Sequence, residues 1–215
     1  MTKPPFELER MDAAVRTSGV GVWLNPLPLG DLVWNDNTKA HFHLPPDARP
    51  TLELFYERLH EEDRERVRVS IDRAVQQRHQ FDEVYRTIGP DGSHKWIHAV
   101  GRVSTDESGE PTRFDGITLD ITAQVTAQQR LREFADAAPA MLWVTEPDGV
   151  CSFLSLAWTQ FTGQPETAGL GFGWLEMVHP DDRPMTGAAF RSANAAQTDF
   201  RCEHRIRHRD GRGAG

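Results

Sequence analysis

The chain has 215 residues, 38% of them hydrophobic and 26% charged, with a net charge of −8. That length holds one large domain or two of about 100 residues, each able to bury a core, and the acidic balance argues against nucleic acid or an anionic membrane as a partner. No apolar run approaches the roughly 18 residues that span a bilayer, and Cys151 and Cys202 lack metal-type spacing, so a cytoplasmic setting is expected.

The first element in chain order is "LERMDAAVRTSG", where Leu8, Met11, Ala14 and Val15 fall at helical spacing; residues 1–18 are expected to form an amphipathic helix. "GVGVWLN" and "GDLVWND" are strand-like runs around the turn "PLPLG". "NTKAHFHLPPDA" predicts a short helix stopped by its two prolines, and "TLELFYERLH" a second helix. In "EEDRERVRVSIDRAVQQ" Val67, Ile71, Ala74 and Val75 mark one face of a longer helix. "FDEVYRTI", "HKWIHAVGRVS" and "PTRFDGITLDI" then read as a three-stranded meander, with Gly92 after Asp91 supplying the positive φ of the first turn. Two strands, short helices, one longer helix and three strands predict an α+β unit, a five-stranded antiparallel sheet with helices on one face.

A linker helix is expected next, over residues 123–138. Thr122 is the expected N-cap, its hydroxyl accepting from early helical N–H groups. Ala127, Leu131, Phe134 and Ala138 follow at spacings of four, three and four, the seam of a short coiled coil. A helix that packs this stripe on its own domain is the alternative. Pro139 limits further propagation.

The chain then repeats itself at an offset of 119 residues. His60 falls on His179, Asp63 on Asp182, Arg64 on Arg183, Phe81 on Phe200, Arg86 on Arg205 and Asp91-Gly92 on Asp210-Gly211. With one gap, Trp23 pairs with Trp143. Two related α+β domains in tandem are predicted, over 19–122 and 139–215. The second is expected to be incomplete and the chain to be a piece of a longer protein, because the partner of Trp96 would be residue 215, a glycine.

The repeated "LHEEDRERV" and "VHPDDRPMT" bear on chemistry. A metalloprotease helix needs a second histidine four residues after the first, and position 64 is Arg. His60 and His179 are therefore expected to be helix-boundary residues. Pro180 is expected at the first helical position, and the acidic residue at the third to reach back to the cap N–H.

Residues 19–122 resemble a PAS domain with its C-terminal PAC segment, carried by "VWNDNTKAHFHLP", "LHEEDRERV", "FDEVYRTIGPDGSHKWIHAVGRV", "SGEPTRFDGITLDIT" and the closing Asp120-Ile121-Thr122. Residues from about 139 onward resemble a second, through "AWTQFTG", "WLEMVHPDDR" and "FRCEHRIRHRDG". The resemblance implies a five-stranded sheet around a small pocket, and a sensory input and dimerisation module of a bacterial signalling protein such as a sensor histidine kinase. It also implies that Asp120 couples sheet to helix. His43 stands where relatives often have Gly. A ligand-free dimerisation scaffold and the input region of a diguanylate cyclase are the competing readings.

No catalytic residue and no metal ligand set is expected. "GVGVW" and "GLGFGW" lack phosphate-loop spacing, and GxSxG and CxxC runs are absent. Cys151 in "VCSFLSL" falls on a predicted strand without the flanking residues of flavin-binding relatives, and His79 alone ends the long helix where haem-binding relatives place a ligand, so no cofactor is expected. Trp34, Phe55, Trp96 and His98 are the candidates for lining a pocket for an unidentified small molecule. The expected partners are a second copy of the chain and a downstream kinase or cyclase domain. Aromatic closure of the pocket would favour the scaffold, a roomy cavity the sensor.

Overall fold

The computed structural model describes residues 5–211 and 213–214. Residues 1–4 of the expected N-terminal helix, and the side chain of Leu8, lie outside the described set. Two compact units divide between residues 126 and 127.

The first unit runs α1 (Pro5–Thr17), β1 (Gly21–Pro26), α2 (Asp36–His41), α3 (Leu52–Arg58), α4 (Glu61–Gln77), β2 (Phe81–Ile88), β3 (His94–Thr105) and β4 (Pro111–Asp120). Its sheet is antiparallel in the order β1-β4-β3-β2. One row across it explains the residue choice. Trp23 stands opposite Gly116, Gly116 opposite Gly101 and Gly101 opposite Phe81. A Cβ on either glycine would overlap the Trp23 ring, so the two glycines let the indole lie flat across β4 and β3 and meet Phe81 edge-on at 6.4 Å.

The expected fifth strand, "GDLVWND", is reduced to two isolated bridges, Trp34 to Trp23 of β1 and Asp31 to Thr51. Two ladder bonds survive, Leu24 N–H to the Val33 carbonyl at 2.9 Å and Asn35 N–H to the Val22 carbonyl at 3.0 Å. The others are replaced by side chains: Val22 N–H donates to Asn35 Oδ1 at 2.9 Å and Val33 N–H to Asn25 Oδ1 at 3.2 Å. Asparagine amides that imitate the ladder satisfy the backbone without extending the strand. The core lies between this sheet and the helices, with Phe42, Leu59, Val67 and Ile97 all at 1% exposure or less.

The helix-boundary motif is built differently from expectation. His60 is the N-cap of α4, and its Nδ1 accepts from Glu62 N–H at 3.3 Å. Asp63 does not reach back to the cap. It accepts from the backbone N–H and Nε of Arg86 in β2 at 3.0 and 2.9 Å, fastening helix to sheet.

α5 (Thr122–Ala137) crosses from the first unit into the second, which continues with β5 (Trp143–Thr145), β6 (Cys151–Leu154), α6 (Leu156–Thr162), α7 (Glu166–Gly169), a 3-10 turn (Gly173–Met177), α8 (Arg183–Ala196), β7 (Ile206–Arg207) and β8 (Gly213–Ala214). Its strands form two separate pairs, β5-β6 and β7-β8. Asp182 repeats the clasp, accepting from Arg205 N–H and Nε, both at 2.9 Å. α8 starts at Arg183, so Pro180 sits in the preceding turn and the proline of the first helical turn is Pro184. Gly92 and Gly211 both adopt φ of 78°, the conformation that their Asp-Gly turns require.

Candidate functional site

The helices and sheet of the first unit flank a cavity of about 40 Å³. Aromatic side chains close it. Trp34, Phe42, Phe55 and Tyr85 pack ring against ring, with Trp34 4.6 Å from Phe42 and Phe42 5.4 Å from Phe55. Asn25, Thr38 and Thr118 bring polar atoms to its wall. All three are already engaged: Asn25 Oδ1 accepts from Val33 N–H at 3.2 Å, Thr38 Oγ1 donates to the Val22 carbonyl at 3.0 Å, and Thr118 Oγ1 lies 2.8 Å from His41 Nδ1. Tyr85 is fully buried, and the desolvation raises its phenol pKa well above the ordinary value, so the hydroxyl stays protonated. Such a space holds about three water-sized groups, far short of the roughly 300 Å³ or more of drug-sized sites.

Trp34 and Phe55 thus line the cavity. Trp96 and His98 do not, and this corrects the sequence reading. Strand alternation turns Ile97 and Ala99 inward, which leaves Trp96 and His98 on the opposite face. There Trp96 packs under the Arg86 guanidinium at 5.4 Å, and His98 Nε2 lies 2.7 Å from Asp82 Oδ1. Sequence reasoning overlooked Tyr85, Thr38 and Thr118. The inward phase of β2 and β4, set by Phe81 and Phe114, would have found Tyr85 and Thr118.

The exit from the sheet is a compact junction. Asp120 Oδ1 accepts from Thr122 N–H at 3.0 Å and also from the Thr122 hydroxyl. That oxygen of Thr122 in turn accepts from Trp96 N–H at 2.9 Å, and Ile121 N–H donates to the Trp96 carbonyl at 2.9 Å. Thr122 is therefore not the N-cap. It is the first helical residue, and the Asp120 carboxylate takes the capping bond because the Thr122 hydroxyl is committed to β3. The carbonyl of Ile121 accepts the first helical bond from Val125 at 3.0 Å.

Along α5, Ala127 is exposed and Ala138 half-buried just past the helix end, while Leu131 and Phe134 are 71% and 77% exposed. Neighbouring positions of the same helix are fastened inside the second unit. Arg132 pairs with Glu166 and lies over the Phe153 ring at 5.3 Å, and Asp136 Oδ1 accepts from Leu156 N–H at 2.6 Å. The alternative of a stripe packed on its own domain does not describe Leu131 and Phe134.

The second unit has an open apolar groove of about 400 Å³ walled by Trp143, Trp158, Trp174 and Phe200. Cys151 is buried on β6, and burial raises its thiol pKa. No group of three or more potential metal ligands occurs among the described residues, and none of their helices is long and apolar enough to cross a membrane.

Comparison with known proteins bears on both units. A family model described as the PAS fold matches residues 31–118 and 152–212. An uncharacterised protein, y4lL of Sinorhizobium fredii, is 31% identical over 138 residues, 61% of this chain and 17% of that protein. The sensor protein FixL of Bradyrhizobium diazoefficiens is 28% identical over 180 residues, covering 80% of this chain and 36% of FixL. The probable diguanylate cyclase DgcE of Escherichia coli is 24% identical over 179 residues, covering 80% of this chain and 16% of DgcE. The chain spans about a third of the length of FixL and about a sixth of the length of the other two relatives.

Proposed function

Since the chain belongs to the PAS-fold family, matched in two successive segments, we propose that it is the sensory input and dimerisation region of a cytoplasmic bacterial signalling protein. The output would be a histidine kinase, the reading that the sequence resemblance implies; the similarity to the sensor protein FixL supports the sensory part of it. A diguanylate cyclase is the second reading, favoured by the similarity to DgcE. The observation that carries the proposal is the junction at Asp120-Ile121-Thr122. It ties the last strand of a cavity-bearing sheet to a helix whose Leu131 and Phe134 face solvent. The small cavity supports an input of few heavy atoms rather than a bulky chromophore. Its aromatic closure also suits the ligand-free scaffold, which would dimerise without any input. No catalytic role is assigned to this region.

Self-association tests the helix. With Leu131 and Phe134 in a shared seam, the protein should sediment as a dimer, and Leu131→Asp should weaken the dimer by several kcal/mol, about 3, because a charge would be buried without a partner. An unchanged oligomer in the variant would rule out the seam.

A further inference from the structure

Alternation puts Lys95 on the same face of β3 as Ile97 and Ala99, and Asp120 on the same face of β4 as Phe114 and Thr118. That is the face the helices cover. A lysine in this phase runs its stem along apolar surface and carries its ammonium to the rim. There Lys95 Nζ donates to the Ala40 carbonyl at 2.6 Å and stands 3.9 Å from Asp120 Oδ2. Ala40 belongs to the last turn of α2; its carbonyl also accepts from His43 N–H at 3.1 Å, and a cation is favoured at a helix C-terminus. Two residues away on either side, Thr38 and Phe42 line the cavity. The other oxygen of Asp120 holds the Thr122 N–H at the start of α5. Both side chains of the ion pair are about two-thirds buried, at 31% and 32% exposure, so solvent screens them only in part.

We propose that Lys95 is the positioning residue that couples the cavity to α5, an inference that rests on the sensory reading above. Its ammonium is shared between a cavity-wall helix and the carboxylate that starts the output helix. When α2 shifts to accommodate an occupant, Nζ moves toward or away from Asp120, and the hold of that carboxylate on Thr122 strengthens or weakens. The chief remaining contact between α2 and β4, His41 with Thr118, positions the cavity wall; His41 also feels the charge of Asp120, but its hydrogen bond goes to Thr118 and not to Asp120 or Thr122.

Xenon, which enters apolar cavities, is the probe. Under xenon pressure, backbone amide NMR signals of Phe42, Phe55 and Tyr85 should move, and so should those of Thr122 to Val125. In Lys95→Met the cavity signals should move as before while the α5 response falls about fivefold, and Lys95→Arg, which keeps a cationic donor, should restore most of it. Lys95→Gln serves as a second neutral variant should Lys95→Met fold poorly. A full α5 response in the neutral variants, with the cavity signals still moving, would overturn the coupling role and leave the sensory reading standing. If xenon moves no cavity signal in the unmodified protein, the sensory reading fails and the coupling role with it.

Discussion

The two units carry the same aspartate–arginine clasp in different surroundings. Asp63 meets Arg86, and Asp182 meets Arg205, through the same backbone and Nε bonds at nearly the same distances. Arg86 lies within an eight-residue strand paired along its length to β3, whereas Arg205 precedes a two-residue strand. The clasp therefore forms beside a short two-stranded pair as well as in a full sheet, and what the longer strands add is burial. Trp23 and Trp143, equivalent in the repeat, make the point. Trp23 is 5% exposed beneath Gly101 and Gly116, while Trp143 is 41% exposed on the wall of an open groove. Local hydrogen-bond geometry is written in a few residues, but burial needs the whole sheet.

Truncating the paired tryptophans gives the largest expected effect. Trp23→Ala removes a fully packed indole and should cost about 3–5 kcal/mol of first-unit stability. Trp143→Ala, already half in solvent, should cost about 1 kcal/mol. Native-state hydrogen exchange resolves the two units and should show residues 139–215 opening at lower free energy than residues 19–122. Equal protection of the two units, or equal costs for the two substitutions, would break the contrast.

The clasps should separate next, by a smaller margin. Burial on its own would push the Asp63 carboxyl up, but the hydrogen bonds from Arg86 and Arg66 prevail and hold it down at about 2. Hydrogen bonds from Arg205 likewise hold Asp182 well below the carboxylate range. A depressed carboxylate pKa adds stability that is complete above its unfolded value near 4 and fades as pH falls through the folded value. Acid unfolding of the first unit should thus include a component between about pH 4 and pH 2 that Asp63→Asn abolishes. At neutral pH that substitution should cost about 2 kcal/mol, less than a fully buried pair because Arg66 and Arg86 retain solvent. Asp182→Asn, at a more exposed site, should cost less. Urea titrations of the two variants at pH 7 and pH 3 measure both margins.

Much of this architecture was legible in the sequence, for identifiable reasons. The helix face Val67, Ile71, Ala74 and the Asp-Gly turns follow from periodicity and positive φ, which depend on residues close in the chain. The clasp was visible too, since Asp63 and Arg86 recur together 119 residues later; what hid it was the assumption that an acidic residue in a first turn serves its own helix. Trp96 and His98 were assigned to the pocket by residue type, although the small Ala99 and Gly101 beside them mark the other phase as the one facing a large indole. The reduced fifth strand was not legible, because it depends on two asparagine side chains, Asn25 and Asn35, finding backbone groups on the facing segment. The cap at Thr122 failed for a similar reason: its hydroxyl is claimed by Trp96, 26 residues away.

The smallest expected effect is at His43, where the units again differ. After α6, the second unit turns through Gly163 at φ 74°; after α2, the first turns through His43 at φ 56°. A side chain with Cβ in the left-handed region costs about 1 kcal/mol that glycine does not incur. The imidazole recovers only part of that through a hydrogen bond to the Thr87 backbone, since its Nε2 is buried without a hydrogen-bond partner. Burial is also the main force lowering its pKa, with Lys95 adding to it. A histidine whose folded pKa is depressed contributes stability that is complete above about pH 6.5 and is lost as pH falls through the folded value, because the unfolded chain takes up the proton first. His41, lowered chiefly by burial as well, contributes in the same direction. His43→Gly should therefore do two things: raise stability at pH 7.5 by about 0.5 kcal/mol, the strain relieved less the extra entropy of an unfolded glycine, and flatten, without abolishing, the loss of stability between about pH 6.5 and pH 5, where His41 still titrates. Paired denaturation curves at pH 7.5 and pH 5 test both. A destabilised variant with an unchanged pH slope would mean that the His43 ring packs well enough to outweigh its strained backbone and titrates as it does in the unfolded chain.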